Sequence, residues 1–274
     1  MSVKVLVTLG PASLNKEIVS KLADRKVNLF RINLSHTKLE DLETIIRKIQ
    51  SWTEVPICLD SEGAQIRNQD MVSECVHFKV GGMVKIHHQQ VVGDEQNMSF
   101  SPQSVSRKLR VGDIIRVDFN AVSLKVVKDA HGYLLASVEN DGIVGSNKAA
   151  DLNRDVHLEA LTPKDKMAFA MGLENGVKNF SLSFTNTAED VKKVREIIGY
   201  ETNLISKIES IKGVSNLAEI LTVVDQILID RGDLSRQISI EKIPFIQRRI
   251  ISYAKSKDIP VFVATNLLES MIKS

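Results

Sequence analysis

Asn203-Leu-Ile-Ser-Lys-Ile-Glu-Ser210 and, further along, Gln226-Ile-Leu-Ile-Asp-Arg-Gly-Asp-Leu234 decide how this chain is read. Asn203 to Ile208 and Gln226 to Ile229 are short runs rich in large apolar residues, as strands buried on both faces are. Their ends carry one lysine and two carboxylates, Lys207, Glu209 and Asp233. Carboxylates presented from neighbouring strand ends can share one hard divalent cation, and a nearby ammonium can neutralise a phosphate or an enolate held against it. The pattern predicts a phosphoryl-transfer or enolate site. Taken singly, a Lys-x-Glu or an Arg-Gly-Asp is more often a solvated surface pair, so the weight rests on what surrounds these residues.

The same kind of run recurs outward in both directions, at Val3 to Leu9, Asn28 to Leu34, Val55 to Asp60, Asn179 to Phe184 and Pro260 to Ala264. Amphipathic stretches of helical length follow most of them: Asn15 to Ala23, Leu39 to Trp52, Pro163 to Asn175, Ala188 to Ile198 and Pro244 to Lys255. Apolar strands alternating with helices predict an α/β fold with a parallel sheet. Thr162-Pro163-Lys164-Asp165 marks a helix start, since threonine caps, proline suits the first turn and an aspartate favours the positive end of the helix dipole. Gly176 is placed to end that helix. Residues 68 to 154 break the rhythm, with short runs at Met83 to His87, Ile114 to Asp118, Leu124 to Val127 and Tyr133 to Val138 separated by turn residues. They predict a small all-β insertion after the third strand, giving segments 1–67, 68–154 and 155–274. Seven parallel strands fit either an open doubly wound sheet or a (β/α)8 barrel lacking one strand. Periodicity does not separate the two.

Composition permits the site and excludes other classes. The chain has 274 residues, 43% hydrophobic and 26% charged, with a formal charge of +2, as an ordinary globular protein does. No basic stripe interleaved with aromatics points to nucleic acid. No apolar run approaches the roughly 20 residues of a spanning helix, and the N-terminus lacks a secretory pattern. Two cysteines, Cys58 and Cys75, make a disulfide framework improbable, so a reducing cytoplasm is the expected location.

Seven motifs in order resemble those of the pyruvate kinase family. They are Thr8 to Ser13, Phe30-Arg-Ile-Asn-Leu-Ser-His36, Leu59-Asp-Ser-Glu-Gly-Ala-Gln-Ile-Arg67, Ser183-Phe184, Ser206-Lys-Ile-Glu209, Asp230-Arg-Gly-Asp-Leu234 and Ala264-Thr-Asn-Leu-Leu-Glu-Ser-Met271. Glu139 to Lys148 looks like the return from that family's β lid. The resemblance implies a pyruvate-kinase-like (β/α)8-type barrel with the lid after the third strand. It also implies transfer of phosphate from phosphoenolpyruvate to ADP, giving pyruvate and ATP through a metal-bound enolate.

On the same grounds, Glu209 and Asp233 resemble the ligands of Mg2+ or Mn2+. Lys207 resembles the lysine that stabilises the phosphoryl group and the enolate, and Arg31 the arginine that contacts phosphate. Thr265 resembles the threonine near the substrate carboxylate, and Gly232 and Asp233 fall where backbone N–H groups would hold that carboxylate. Asn33, Ser35, Asp60 and Ser61 align with potassium ligands, and Arg67 and Lys148 with nucleotide contacts.

Several positions depart from the family pattern. Glu62 stands where lysine is usual and reverses a charge near the expected phosphate region. Ala64 stands where proline is usual. Gln65 supplies neither the carboxylate tied to potassium dependence nor the lysine that replaces the ion, which sets potassium use in doubt. Asp230 replaces a small residue, Ser235 a glycine and Asn266 a glutamine. Ala149 to Arg154 replaces a glycine-rich run, which weakens the nucleotide contacts.

The sequence ends at Ser274, before the eighth strand and C-terminal domain of the family. Two open barrel edges would then need cover, and a homo-oligomer is the expected way to provide it. Two alternatives stand beside the kinase. One is a divergent metal-dependent enzyme acting on phosphoenolpyruvate, pyruvate or a related keto acid. The other is a non-catalytic binding or assembly protein that retains the fold.

Overall fold

The computed structural model describes residues 3–264. The chain divides into two compact units, one built from the chain up to Ala64 and from Glu159 onward, the other from Gln65–Leu158.

In the first unit the chain runs β1 (Leu6–Thr8), α1 (Lys16–Asp24), β2 (Leu29–Asn33), α2 (Leu39–Trp52) and β3 (Ile57–Asp60) before the insertion. The second unit holds β4 (Ile66–Asn68), β5 (Val76–Phe78), β6 (Met83–His87), β7 (Asn97–Ser101), β8 (Ile114–Val117), β9 (Val122–Ala130), β10 (Tyr133–Val138), β11 (Gly142–Val144) and β12 (Ala149–Leu152). The first unit resumes with α3 (Pro163–Glu174), β13 (Asn179–Leu182), α4 (Ala188–Ile198), β14 (Asn203–Ile208), α5 (Ile211–Ser215), α6 (Leu217–Ile220), β15 (Gln226–Asp230), α7 (Arg231–Leu234), α8 (Ile243–Lys255) and β16 (Val261–Ala264).

The seven strands of the first unit form one all-parallel sheet in the order β1-β2-β3-β13-β14-β15-β16. Every strand is flanked by its neighbours in chain order. A doubly wound sheet reverses its order at a switch point, and this one does not, so the winding is that of a barrel wall.

The strands alternate between two faces. Phe30, Ile32, Leu59, Phe180, Leu182, Leu204, Ile208, Ile227 and Ile229 pack in one core with Leu42, Ile46 and Ile49, which recur at helical spacing along α2. Leu29, Cys58, Ile205 and Leu228 form a separate small cluster, and Leu6 and Phe262 pack against it. A strand shows alternate residues on alternate faces, so Arg31, Asp60, Lys207 and Asp230 lie on the face of that second cluster, toward the C-terminal ends of their strands. The fold thus gathers charge at one end of an otherwise apolar wall.

Capping fixes where the helices begin. Thr162 accepts from the Asp165 backbone N–H and Asp165 accepts from that of Thr162, a reciprocal box repeated by Thr187 and Asp190 at α4. Asp165 does more: it also accepts from the backbone N–H groups of Glu62 at 2.7 Å and Gly63 at 3.1 Å, tying the loop after β3 to the start of α3. Gly63 has φ +72°, and a Cβ there would come within 2.4 Å of the Ser183 carbonyl oxygen. Only glycine lets the two loops approach this closely.

In the second unit, seven of the nine strands close into a barrel, and β5 pairs with β11. Its core is a separate cluster that includes Val84, Ile86, Met98, Phe100, Val117 and Leu124. Cys58 is buried, Cys75 is exposed, and both are free thiols. Among the described residues no helix is long and apolar enough to cross a membrane.

Candidate active site

Lys207 organises the site. Its side chain projects from β14 and is almost wholly buried, yet Nζ has three partners: Asp60 Oδ2 at 3.2 Å, Glu209 Oε1 at 2.9 Å and Ser183 Oγ at 2.9 Å. Burial alone would drive off the proton. The anions Asp60 and Glu209 outweigh that cost and hold the pKa of Lys207 above its ordinary value, so it stays charged.

Asp60 is the second centre. Its Oδ2 accepts from Arg31 Nε at 2.8 Å, and Arg31 Nη2 lies 2.7 Å from the same oxygen. Ser181 Oγ donates to Oδ1. Burial pushes the Asp60 pKa up, but Lys207, Arg31 and Ser181 together hold it below the ordinary carboxylate value. The serine hydroxyls thread the network: Ser183 Oγ donates to the Ser61 carbonyl at 2.7 Å, and Ser61 Oγ accepts from the Ser183 backbone N–H at 2.9 Å.

Glu209 lies just past the end of β14 and is fully buried. Its Oε2 accepts from the Phe184 backbone N–H at 2.8 Å. Phe184 takes the left-handed backbone conformation, φ 51°, that most side chains avoid. That turn aims its N–H at the carboxylate. Glu209 Oε1 accepts no hydrogen bond among the described residues, although the Lys207 ammonium is in ion-pair contact with it. Donor atoms of Glu209, Asp230 and Asp233 lie within 4.8 Å of one another. Burial, offset only in part by Lys207 and reinforced by the anions of Asp233, Asp230 and Asp60, pushes the Glu209 pKa up to about 7. The Asp233 pKa is raised as well, by burial and by Asp230.

A buried carboxylate oxygen lacking a hydrogen bond, beside two further carboxylates, suits a hard divalent cation bound through oxygen. The raised pKa of Glu209 has a sign that can be tested. Unfolded, the carboxyl ionises near 4.5, and folded near 7, so its stabilising contribution is complete below about pH 4.5 and is lost as pH rises through about 7. In metal-free buffer, Glu209→Gln is therefore expected to gain several degrees in thermal midpoint relative to the unmodified chain between pH 5 and pH 8. A difference independent of pH would contradict the assignment.

The remaining expected residues fall into distinct settings. Asp233 Oδ1 pairs with Arg236 Nη1 at 3.3 Å. The Gly232 backbone N–H donates to Asp230 Oδ1 at 3.0 Å, so one of the two backbone donors expected to hold a substrate carboxylate, those of Gly232 and Asp233, already holds a side chain of this chain. Asn33 Oδ1 accepts from the Ser35 backbone N–H at 3.0 Å, capping the turn Leu34–His36. Of the four expected potassium ligands, Asn33, Asp60 and Ser61 thus already accept protein donors. In the second unit, Arg67 Nη1 donates to the Asn147 carbonyl at 2.7 Å, and Lys148 Nζ lies 3.6 Å from Asp118 Oδ2. Thr265 and Asn266 lie outside the described residues.

Glu62 has a local partner. Its Oε1 lies 2.8 Å from Lys164 Nζ, and Thr162 Oγ1 donates to Oε2 at 3.3 Å. The reversed charge is offset by a lysine more than one hundred residues away in sequence. The pair is partly exposed, so its contribution is about 0.2–1 kcal/mol. Glu62→Lys is expected to lower the thermal midpoint by a few degrees, and adding Lys164→Glu to recover most of the loss. A double variant no better than the single one would show that the pairing is not formed.

Sequence reasoning gave no role to Ser181, Ser183, the Phe184 N–H or Lys164, and noted Asp230 only as a departure. Ser181 and Ser183 alternate with apolar residues along Asn179-Phe-Ser-Leu-Ser183, a period-two signal that could have placed both hydroxyls on the inner face.

The family model for the pyruvate kinase barrel domain matches residues 1–274. The chain belongs to the pyruvate kinase family. It is 33% identical over 282 residues to a pyruvate kinase of Thermotoga maritima, covering 100% of this chain and 60% of the relative. It is 32% identical over 285 residues to one of Dictyostelium discoideum, covering 99% and 56%. A third, from Clostridium acetobutylicum, is 31% identical over 282 residues, covering 99% and 60%. The chain therefore spans 56–60% of the length of these relatives.

Proposed function

We propose that this chain carries the substrate-handling centre of a phosphotransferase that moves the phosphoryl group of phosphoenolpyruvate to ADP. The observation that carries the reading is the buried Lys207 ammonium set between Asp60 and Glu209, with Glu209 Oε1, which lacks a hydrogen bond among the described residues, beside Asp230 and Asp233. Family membership supports it.

Phosphoryl transfer asks a protein for positioning and for positive charge on the oxygens in flight. Lys207 supplies a fixed positive charge, preorganised by three partners. Arg31, braced by two contacts to Asp60, presents the rest of its planar fork to a phosphate oxygen. Glu209 and Asp233 would hold Mg2+ or Mn2+, which when bound supplies Lewis-acid stabilisation of negative charge on substrate oxygens. Arg67 and Lys148, both in the inserted β unit, are the proposed nucleotide contacts.

The test is pyruvate formation from phosphoenolpyruvate and ADP with Mg2+, measured by a coupled assay in KCl and in NaCl. Turnover well above a Lys207→Ala control is expected. Equal rates in the two salts are also expected, because Asn33, Asp60 and Ser61 already serve protein donors. No rate above the control would sink the proposal.

One observation favours a second reading. Arg67 Nη1 donates to the Asn147 carbonyl at 2.7 Å and Lys148 Nζ lies 3.6 Å from Asp118 Oδ2, so both expected nucleotide contacts already have partners within the second unit. A metal-dependent enzyme acting on pyruvate or a related keto acid, with a different acceptor, fits that feature. Metal-dependent binding of pyruvate without ADP turnover would support it.

A further inference from the structure

We propose that Asp230 is a third carboxylate ligand of the divalent-cation site, at a position where the family resemblance gives a small residue. The inference rests on the metal reading of Glu209 and Asp233 and deepens it. Asp230 is the last residue of β15, level with Ala264 of β16, and it caps α7. Asp233 lies three residues on, within the single turn of α7, so strand end and helix start bring the two side chains together. Donor atoms of Asp230, Asp233 and Glu209 all lie within 4.8 Å of one another, and among the described residues Glu209 Oε1 is buried with no hydrogen bond, its one ionic contact being the Lys207 ammonium at 2.9 Å.

Each carboxylate is also oriented through one oxygen by a protein donor. Glu209 Oε2 accepts from the Phe184 N–H at 2.8 Å, Asp230 Oδ1 from the Gly232 N–H at 3.0 Å, and Asp233 Oδ1 from Arg236 at 3.3 Å. Donors of this kind fix ligand orientation in metal sites. Three anions this close repel one another in a site shielded from water, and a dication relieves that repulsion more strongly than it would for two. The consequence is a tighter site for hard divalent cations than two carboxylates give.

Mn2+ is the probe. The chain of 274 residues, stripped with chelator, is titrated with Mn2+, and binding is read by calorimetry and by loss of the free-ion electron paramagnetic resonance signal. Asp230→Asn keeps the cap, because asparagine can accept the Gly232 N–H, but removes the charge. It is expected to weaken Mn2+ binding about ten-fold, or about 1.4 kcal/mol, with the metal-free thermal midpoint retained. Asp230→Ala is expected to show the same loss of affinity and a lower midpoint. Glu209→Gln is expected to lose binding altogether.

A weakening under three-fold in both Asp230 variants, with Glu209→Gln still defective, would leave a two-carboxylate site and overturn the inference alone. An unmodified chain that takes up no Mn2+, or takes it up regardless of Glu209→Gln, would overturn the metal reading and this inference with it.

Discussion

Lys207→Met is expected to lower the thermal midpoint by roughly 10 °C and to reduce any metal-dependent turnover by at least 100-fold. The stability estimate follows from what the substitution leaves behind. Removing one partner of a buried ion pair costs about 3–5 kcal/mol, because the survivor stays desolvated without its countercharge. Here the cost falls toward the lower end: Asp60 keeps Arg31, and Glu209, whose pKa already stands at about 7, can take up a proton. About 3 kcal/mol in a unit of this size corresponds to roughly 6–12 °C. The activity estimate follows from losing a preorganised charge aimed at the reacting oxygens, worth about 100- to 1000-fold for a single donor. Lys207→Arg is not expected to rescue either loss. A planar guanidinium cannot meet three partners clustered around a compact ammonium. Differential scanning calorimetry and the coupled assay read the two effects separately. A variant with an unchanged midpoint would show that the Asp60, Glu209 and Ser183 contacts do not form.

Asp60→Asn is expected to destabilise the chain by about 3–5 kcal/mol, to the same extent in KCl and in NaCl. Arg31 and Lys207 both direct positive charge at Oδ2, and Ser181 donates to Oδ1. An amide carries no countercharge and turns an N–H2 group toward one of these donors. If Asp60 acted chiefly as a potassium ligand, the loss would appear only where potassium is present. Urea unfolding in the two salts distinguishes the cases. A loss confined to KCl would restore the alignment-based role and contradict the role of countercharge.

Much of the sheet was legible because its strands are bounded by turn residues and followed by amphipathic helices. All seven runs read from the sequence coincide with strands of the parallel sheet. Strand order was not legible from periodicity, since the same runs suit either winding, and only the register of neighbours decides. In the insertion, Met83–His87 and Tyr133–Val138 carry a readable pattern, but Ile66–Asn68, Val76–Phe78 and Gly142–Val144 are three residues each, too short for a period to show. Lys207, Glu209 and Asp233 were legible as strand-end charges. What Asp60 does was not, because an oxygen donor suits a monovalent cation and two basic side chains equally well on paper. The Glu62 partner, Lys164, lies across a whole inserted unit, and no local pattern could join them. Asp230 stood out as a departure, but its closeness to Glu209 depends on β14 and β15 being neighbours in register.

The claim shared by both functional readings is that one buried centre holds a divalent cation and a small dianion against Lys207. Calorimetric titration with oxalate, whose paired oxygens mimic an enolate of pyruvate, tests it most directly. Oxalate is expected to bind only when Mn2+ is present, and that binding is expected to vanish in Lys207→Met and Glu209→Gln. Binding of oxalate without metal, no binding at all, or binding indifferent to both substitutions would contradict the claim.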